Sequence, residues 1–178
     1  MTSDRTVLIA FGVAVVIFTL THLAPIPGNL RDLMGVNGGH AILDQAPAFS
    51  TQAVYDRLTA FGTDGRASYQ RFLLTTDIVF PLGLLAFLFL FARFTVERFG
   101  GGRALPRLVP LVPVMWFGFD IMENLSIVAL LADYPAQNDI IASHLGLITL
   151  AKQYTLGLSI LLPVALLLYT IAKLHFSR

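Results

Sequence analysis

The chain has 178 residues, 56% of them hydrophobic and 13% charged, with 12 Lys and Arg against 11 Asp and Glu for a net charge of +1. A soluble domain of this length needs roughly twice that share of charge to cover its exterior, so an ordinary water-soluble fold is excluded and the bilayer is the expected solvent. The near-zero net charge makes no case for a nucleic-acid partner, and the absence of cysteine removes disulfides, thiolate catalysis, Cys-ligated zinc and iron–sulfur clusters.

A helix needs roughly 20 mostly apolar residues to cross ~30 Å of hydrocarbon. The first such run covers about residues 6–23 and stops at Ala24-Pro25-Ile26-Pro27-Gly28, where two prolines and a glycine cannot continue a helix. Arg5 ahead of a short apolar stretch also fits a secretory signal peptide, but no small-x-small cleavage site stands near Ala24. Residues 24–71 form the one sizeable outer loop. Gly35, Gly38 and Gly39 predict an irregular stretch around Asn37, and Ser50 as N-cap with Val54, Leu58 and Phe61 at helical spacing predicts a short interfacial helix over about 51–61, ended by Gly62-Thr63-Asp64-Gly65. Such a helix seats a connector on the headgroups or acts as a lid.

The second run spans about 72–92, carries Pro81 as a kink and ends in Arg93 and Arg98. The third spans about 108–132, before Asp133-Tyr134-Pro135. The fourth, about 140–173, is longer than a bilayer requires and should tilt or project. Together they predict one all-α domain, a polytopic membrane protein with four transmembrane helices in a bundle. Arg93, Arg98, Arg103 and Arg107 lie between the second and third runs, whereas residues 133–139 hold no basic residue; Arg5, Lys173 and Arg178 flank the termini. The positive-inside rule then places both termini in the cytoplasm, with a bacterial inner membrane the expected location.

Four ionisable residues fall inside these runs: Asp77, Asp120, Glu123 and Lys152. Each costs roughly 2.5–3.5 kcal/mol at a bilayer centre, so such groups turn toward one another or toward water and mark function. Asp120, Glu123 and Asn124 share one face of the third helix; His144, Lys152, Thr155 and Ser159 share one of the fourth; Arg66, Gln70 and Asp77 align if the second helix continues outward. Counted inward at 1.5 Å per residue, Asp77 lies about 8 Å deep, Glu123 about 14 Å, Lys152 about 16–18 Å and Asp120 about 18 Å. Face and depth agree on a polar cavity in the outer half, with His22 and His144 at its mouth and Trp116 at its floor. Three carboxylates share one buried lysine, so one of Asp120 and Glu123 is expected to hold a proton near neutral pH. Interhelical hydrogen-bond glue, worth ~0.6 and up to ~2 kcal/mol per pair, is the competing explanation.

No cofactor is expected, with haem b or a metal at His22 and His144 the lesser option. Lys152 with acidic counter-ions suggests retinal chemistry, but four helices hardly enclose a retinal. Ser126, Ser143 and Ser159 have no base at nucleophile spacing, and Gly100-Gly101-Gly102 runs into Arg103 and Pro106 without the Lys-Ser/Thr of a phosphate loop.

The string Asp77-Ile78-Val79-Phe80-Pro81, the string Asp120-Ile121-Met122-Glu123-Asn124 and Lys152 resemble a pattern in small bacterial four-helix integral membrane proteins. That resemblance covers the last three runs and implies the four-helix architecture, with no activity to carry over. Sterol isomerases of four and five helices also place acids in an intramembrane pocket, an analogy of architecture without a matching motif. The expected function is a cavity binding a small amphipathic or lipid-like molecule, with Glu123 and Asp120 as acid and base, Lys152 as counter-ion, and Asp77, His22, His144, Asn124, Thr155, Ser159, Trp116 and Arg66 around the ligand. The alternatives are an accessory subunit of a larger membrane complex and a proton- or ion-coupled carrier acting as an oligomer.

Overall fold

A computed structural model describes residues 2–24, 26–99 and 105–176. Pro25, Gly100 to Arg103 and Arg178, which the sequence argument uses, lie outside the described residues. Every regular element among the described residues is helical: α1 (Asp4–Phe18), α2 (Leu30–Val36), α3 (Thr51–Ala60), α4 (Gly62–Leu74), α5 (Thr76–Phe99), α6 (Leu111–Asp133) and α7 (Asp139–Phe176). A turn of π-helix, Thr19–Leu23, prolongs α1, and a 3₁₀ turn, Leu105–Leu108, precedes α6.

Four helical stretches are long and apolar enough to cross a membrane: Asp4–Leu23, Gly62–Phe99, Pro106–Asp133 and Asp139–Phe176. Their most apolar windows are mostly unburied, down to 11% buried in α7, and Leu8, Leu125, Leu161 and Leu168 stand open on the surface. Apolar side chains facing outward over such lengths match a hydrocarbon solvent, which has no hydrophobic reason to push them inward.

Capping explains several boundaries. Ser3 caps α1 by accepting from Thr6 N at 3.1 Å, Asn29 caps α2 by accepting from Asp32 N at 2.9 Å, and Ser50 caps α3 by accepting from Ala53 N at 3.2 Å. Here α3 coincides with the helix expected over about 51–61, but α2 is new, and the glycine cluster after α3 does not open a loop. Gly62 takes φ +66, and α4 starts there directly. Helical structure therefore resumes some ten residues before the expected second run.

The densest packing lies at one end. Leu33, Ile42, Leu43, Val54 and Leu58 from residues 24–61 are buried against Tyr69, Phe72 and Leu73 of α4, Ile127 and Leu130 of α6 and Leu145 of α7. Tyr55 Oη ties this cap to the α6–α7 connection, donating to Ala136 O at 3.1 Å and accepting from Asn138 N at 2.8 Å. Below the cap, α6 packs on α7, α1 on α5, and α5 on both α6 and α7.

Candidate functional site

The spacing of three residues in Asp120-x-x-Glu123 and in Thr149-x-x-Lys152 places each pair on one helix face, and the α6–α7 contact brings the faces together. The Lys152 ammonium is paired with Glu123 Oε2 and lies 3.7 Å from Asp120 Oδ1. Thr149 Oγ1 donates to Glu123 Oε1. Glu123 is wholly buried, and Asp120, Asn124 and Asp77 are nearly so.

A third helix joins through Pro81. A proline lacks the N–H that would bond the carbonyl four residues earlier, so in α5 the Asp77 carbonyl has no helical donor. Asn124 of α6 supplies one, its Nδ2 reaching Asp77 O at 3.5 Å. In a medium without water, a freed backbone acceptor has to be met by a neighbouring helix.

Asn124 Oδ1 and Asp120 Oδ2 have no hydrogen-bond partner among the described residues. Both residues are only 5% exposed. Buried acceptors usually find a donor, and leaving one unmet costs about 1–3 kcal/mol.

The end of the cluster expected to be open is covered by a loop. Residues 42–49 lie against α4 and α7 at the end of the helices that carries the cap: Tyr69 Oη donates to Asp44 Oδ1 at 2.8 Å and accepts from Leu43 N at 3.1 Å, and Gln153 Nε2 donates to Gln45 O at 3.2 Å. At Gly146 the loop backbone is so close that a Cβ would stand 2.5 Å from Ala48 O. Asp44, within electrostatic reach of Asp77 and Lys152, adds a fourth carboxylate around the single ammonium.

Several candidates are placed elsewhere. Thr75, with φ −129 and ψ −81, breaks the helix between α4 and α5, so the Arg66-Gln70-Asp77 stripe does not form. Arg66 instead donates to Leu58 O at 3.0 Å and covers the Tyr134 ring at 4.0 Å. His22 stacks on Phe18 and meets Phe80 edge-on, each at 4.6 Å between ring centroids, with Nδ1 2.7 Å from Thr21 Oγ1. His144 is exposed, its Nδ1 2.8 Å from Ile140 O in its own helix. Among the described residues, no three His, Asp or Glu side chains are grouped to share a metal ion. Thr155 and Ser159 donate to carbonyls one turn earlier, at 2.6 Å to Ala151 and 2.7 Å to Thr155. Trp116 is buried on α6.

Thr149, Tyr69 and Asp44 join the site beyond the residues expected from the sequence. Thr149 carries a readable signal, three residues before Lys152, whereas Asp44 sits in a loop that has no periodicity to read. Comparison with protein families, with curated proteins and with solved structures found no match, so the resemblance drawn from Asp77, Pro81, Asp120, Glu123, Asn124 and Lys152 rests on those residues alone.

Proposed function

We propose that the chain is a four-span helical bundle of a bacterial inner membrane, with both termini and the arginine-rich connection cytoplasmic, and that it works through the carboxylate–lysine cluster beneath the outer cap. The cluster binds the hydrogen-bond-donating end of a small amphipathic or lipid-like molecule, a hydroxyl or an amine. The observation that carries this reading is the pair of buried acceptors without a donor, Asp120 Oδ2 and Asn124 Oδ1. Helix glue alone would close its own hydrogen bonds, since each unmet acceptor works against stability. In the bound state Lys152 holds Glu123 in place, Asp120 and Asn124 receive the ligand's donors, and Asp120 and Glu123 exchange its proton. Entry requires residues 42–49 to lift from α7.

The test is native mass spectrometry of the protein purified in mild detergent, wild type beside Asp120→Leu and Glu123→Gln. A bound small molecule in the wild type that both variants lose supports the reading; a wild type and variants equally empty, or equally loaded, refutes it. The excess of carboxylates over Lys152 favours a second reading, proton transfer along Asp77, Asp120 and Glu123. It requires a proton flux in liposomes that Glu123→Gln abolishes.

A further inference from the structure

Exposed side chains change character partway along the molecule. On the cap the outward positions are polar: Gln52, Asp56 and Thr59 on α3, and Thr63, Asp64 and Arg71 on α4. Its apolar residues are inside, with Leu33, Leu43, Leu58, Tyr69 and Phe72 packed in one core with Ile127 of α6 and Leu145 of α7. That is the arrangement of a domain folded in water, on which lone exposed apolar residues such as Val36 and Ile140 are ordinary. Beyond the cap the pattern inverts, and Leu82 of α5, Met115 of α6, and Leu158 and Leu161 of α7 face outward.

The change falls at Leu74, Leu125 and Leu147, which are 52%, 63% and 60% exposed. Exposed Arg71 and His144 stand one turn nearer the cap than Leu74 and Leu147. Contacts in the cluster put the three leucines near one level. Leu125 and Leu147 each lie about 7.5 Å toward the cap from Asp120 and Lys152, and Leu74 about 4.5 Å from Asp77. Asp120 and Lys152 are themselves 3.7 Å apart, and the Asp77 carbonyl meets Asn124. In the other direction, Leu74 lies about 28 Å from Arg93 and Leu125 about 27 Å from Arg107, close to the ~30 Å of hydrocarbon between two headgroup layers. On α7 the corresponding length from Leu147 to Lys173 is about 39 Å, an excess that tilt or projection takes up.

We propose that the surface between these leucines and these arginines is the belt that contacts lipid, and that the cap, α4 included, stands in water. The proposal rests on the membrane-spanning reading above and goes beyond it. It gives the stretch Gly62–Phe99 two solvents, water around α4 and lipid around α5, with the helix break at Thr75 between them. The carboxylate–lysine cluster then lies about 5–8 Å inside the boundary, within two helical turns of the headgroups, instead of as much as about 18 Å deep. A ligand held there keeps its polar end at the edge of one leaflet.

The chain has no cysteine, so Asp64→Cys, Arg71→Cys, Leu82→Cys, Leu147→Cys and Leu161→Cys, all at exposed positions, each carry a single nitroxide label. The labelled proteins, their helices checked by circular dichroism, are reconstituted in phosphatidylcholine vesicles. Paramagnetic resonance power saturation then compares oxygen, which concentrates in hydrocarbon, with a nickel chelate confined to water. Labels at 64 and 71 should favour the chelate and those at 82 and 161 oxygen, with the preference reversing near 147. Oxygen preference at 64 and 71 overturns the proposal while leaving the helices in lipid. Chelate preference at 82 and 161 overturns it together with the membrane-spanning reading.

Discussion

Replacing Lys152 by Met keeps the aliphatic stem and removes the charge that faces Glu123 and Asp120. Glu123 is wholly buried and has Thr149 as its remaining donor. Breaking one side of a buried ion pair costs about 3–5 kcal/mol, because the other charge is left uncompensated. That is a large share of the ~5–15 kcal/mol that stabilises a typical domain. Glu123→Gln in the same chain removes the stranded charge and keeps an acceptor for Thr149, so the double variant should be about 2 kcal/mol more stable than Lys152→Met alone, with a coupling energy of about 2–3 kcal/mol. Ordinary interhelical hydrogen bonds couple by only ~0.6 kcal/mol, so the cycle separates an ion pair from glue. Reversible unfolding by sodium dodecyl sulfate in mixed micelles, followed by helical circular dichroism, measures all four species. Additivity within ~0.5 kcal/mol, or a Lys152→Met variant as stable as wild type, refutes the reasoning.

Glycine substitutions should separate the two packing interfaces. At Gly146 a Cβ meets the Ala48 backbone and the Phe49 ring, so Gly146→Ala should destabilise by about 1–3 kcal/mol and speed hydrogen exchange over residues 42–49. At Gly83 it meets only the end of the Ile17 side chain, which can rotate away, so Gly83→Ala should change stability by less than ~1 kcal/mol; equal effects at both sites contradict this. Tyr69→Phe strands the buried Leu43 N–H and should cost about 1–3 kcal/mol; unchanged exchange at Leu43 would mean that the hydroxyl does not hold the cap. Because the chain has no cysteine, Gln137→Cys and Arg107→Cys report topology on a clean background. An impermeant maleimide should label position 137 on intact cells and position 107 only after permeabilisation, and the reverse pattern inverts the proposed orientation.

The apolar runs were readable because hydropathy accumulates over some twenty residues, which local detail cannot hide. The meeting of Asp120, Glu123 and Lys152 was readable for a related reason: residues three apart share a helix face, and a buried charge must find a counter-charge. The position of Arg66 was not, because the stripe argument needs an unbroken helix and the break at Thr75 turns α4 away from the α5 register. Closure of the cluster was not legible either. It depends on Tyr69 holding a loop backbone and on Gly146 admitting one, contacts between residues 26 and 98 positions apart in sequence that leave no periodic trace. The helix of Asn29 and Asp32 did announce itself, through an N-cap residue with a carboxylate three positions later, but over too short a stretch to stand out from the loop.

Pro81 and Asn124 also bear on how this sequence can change over generations. The bare Asp77 carbonyl and the amide that meets it are the two halves of one unit, separated by 47 positions and carried on different helices. A descendant with an ordinary helix former at 81 closes its own ladder and releases position 124 from its duty. One that keeps the proline and loses the amide leaves a naked peptide oxygen in hydrocarbon. Substitutions at these two sites should therefore appear together across homologous chains, and a lineage found with only one of them altered will need a replacement donor within reach of Asp77.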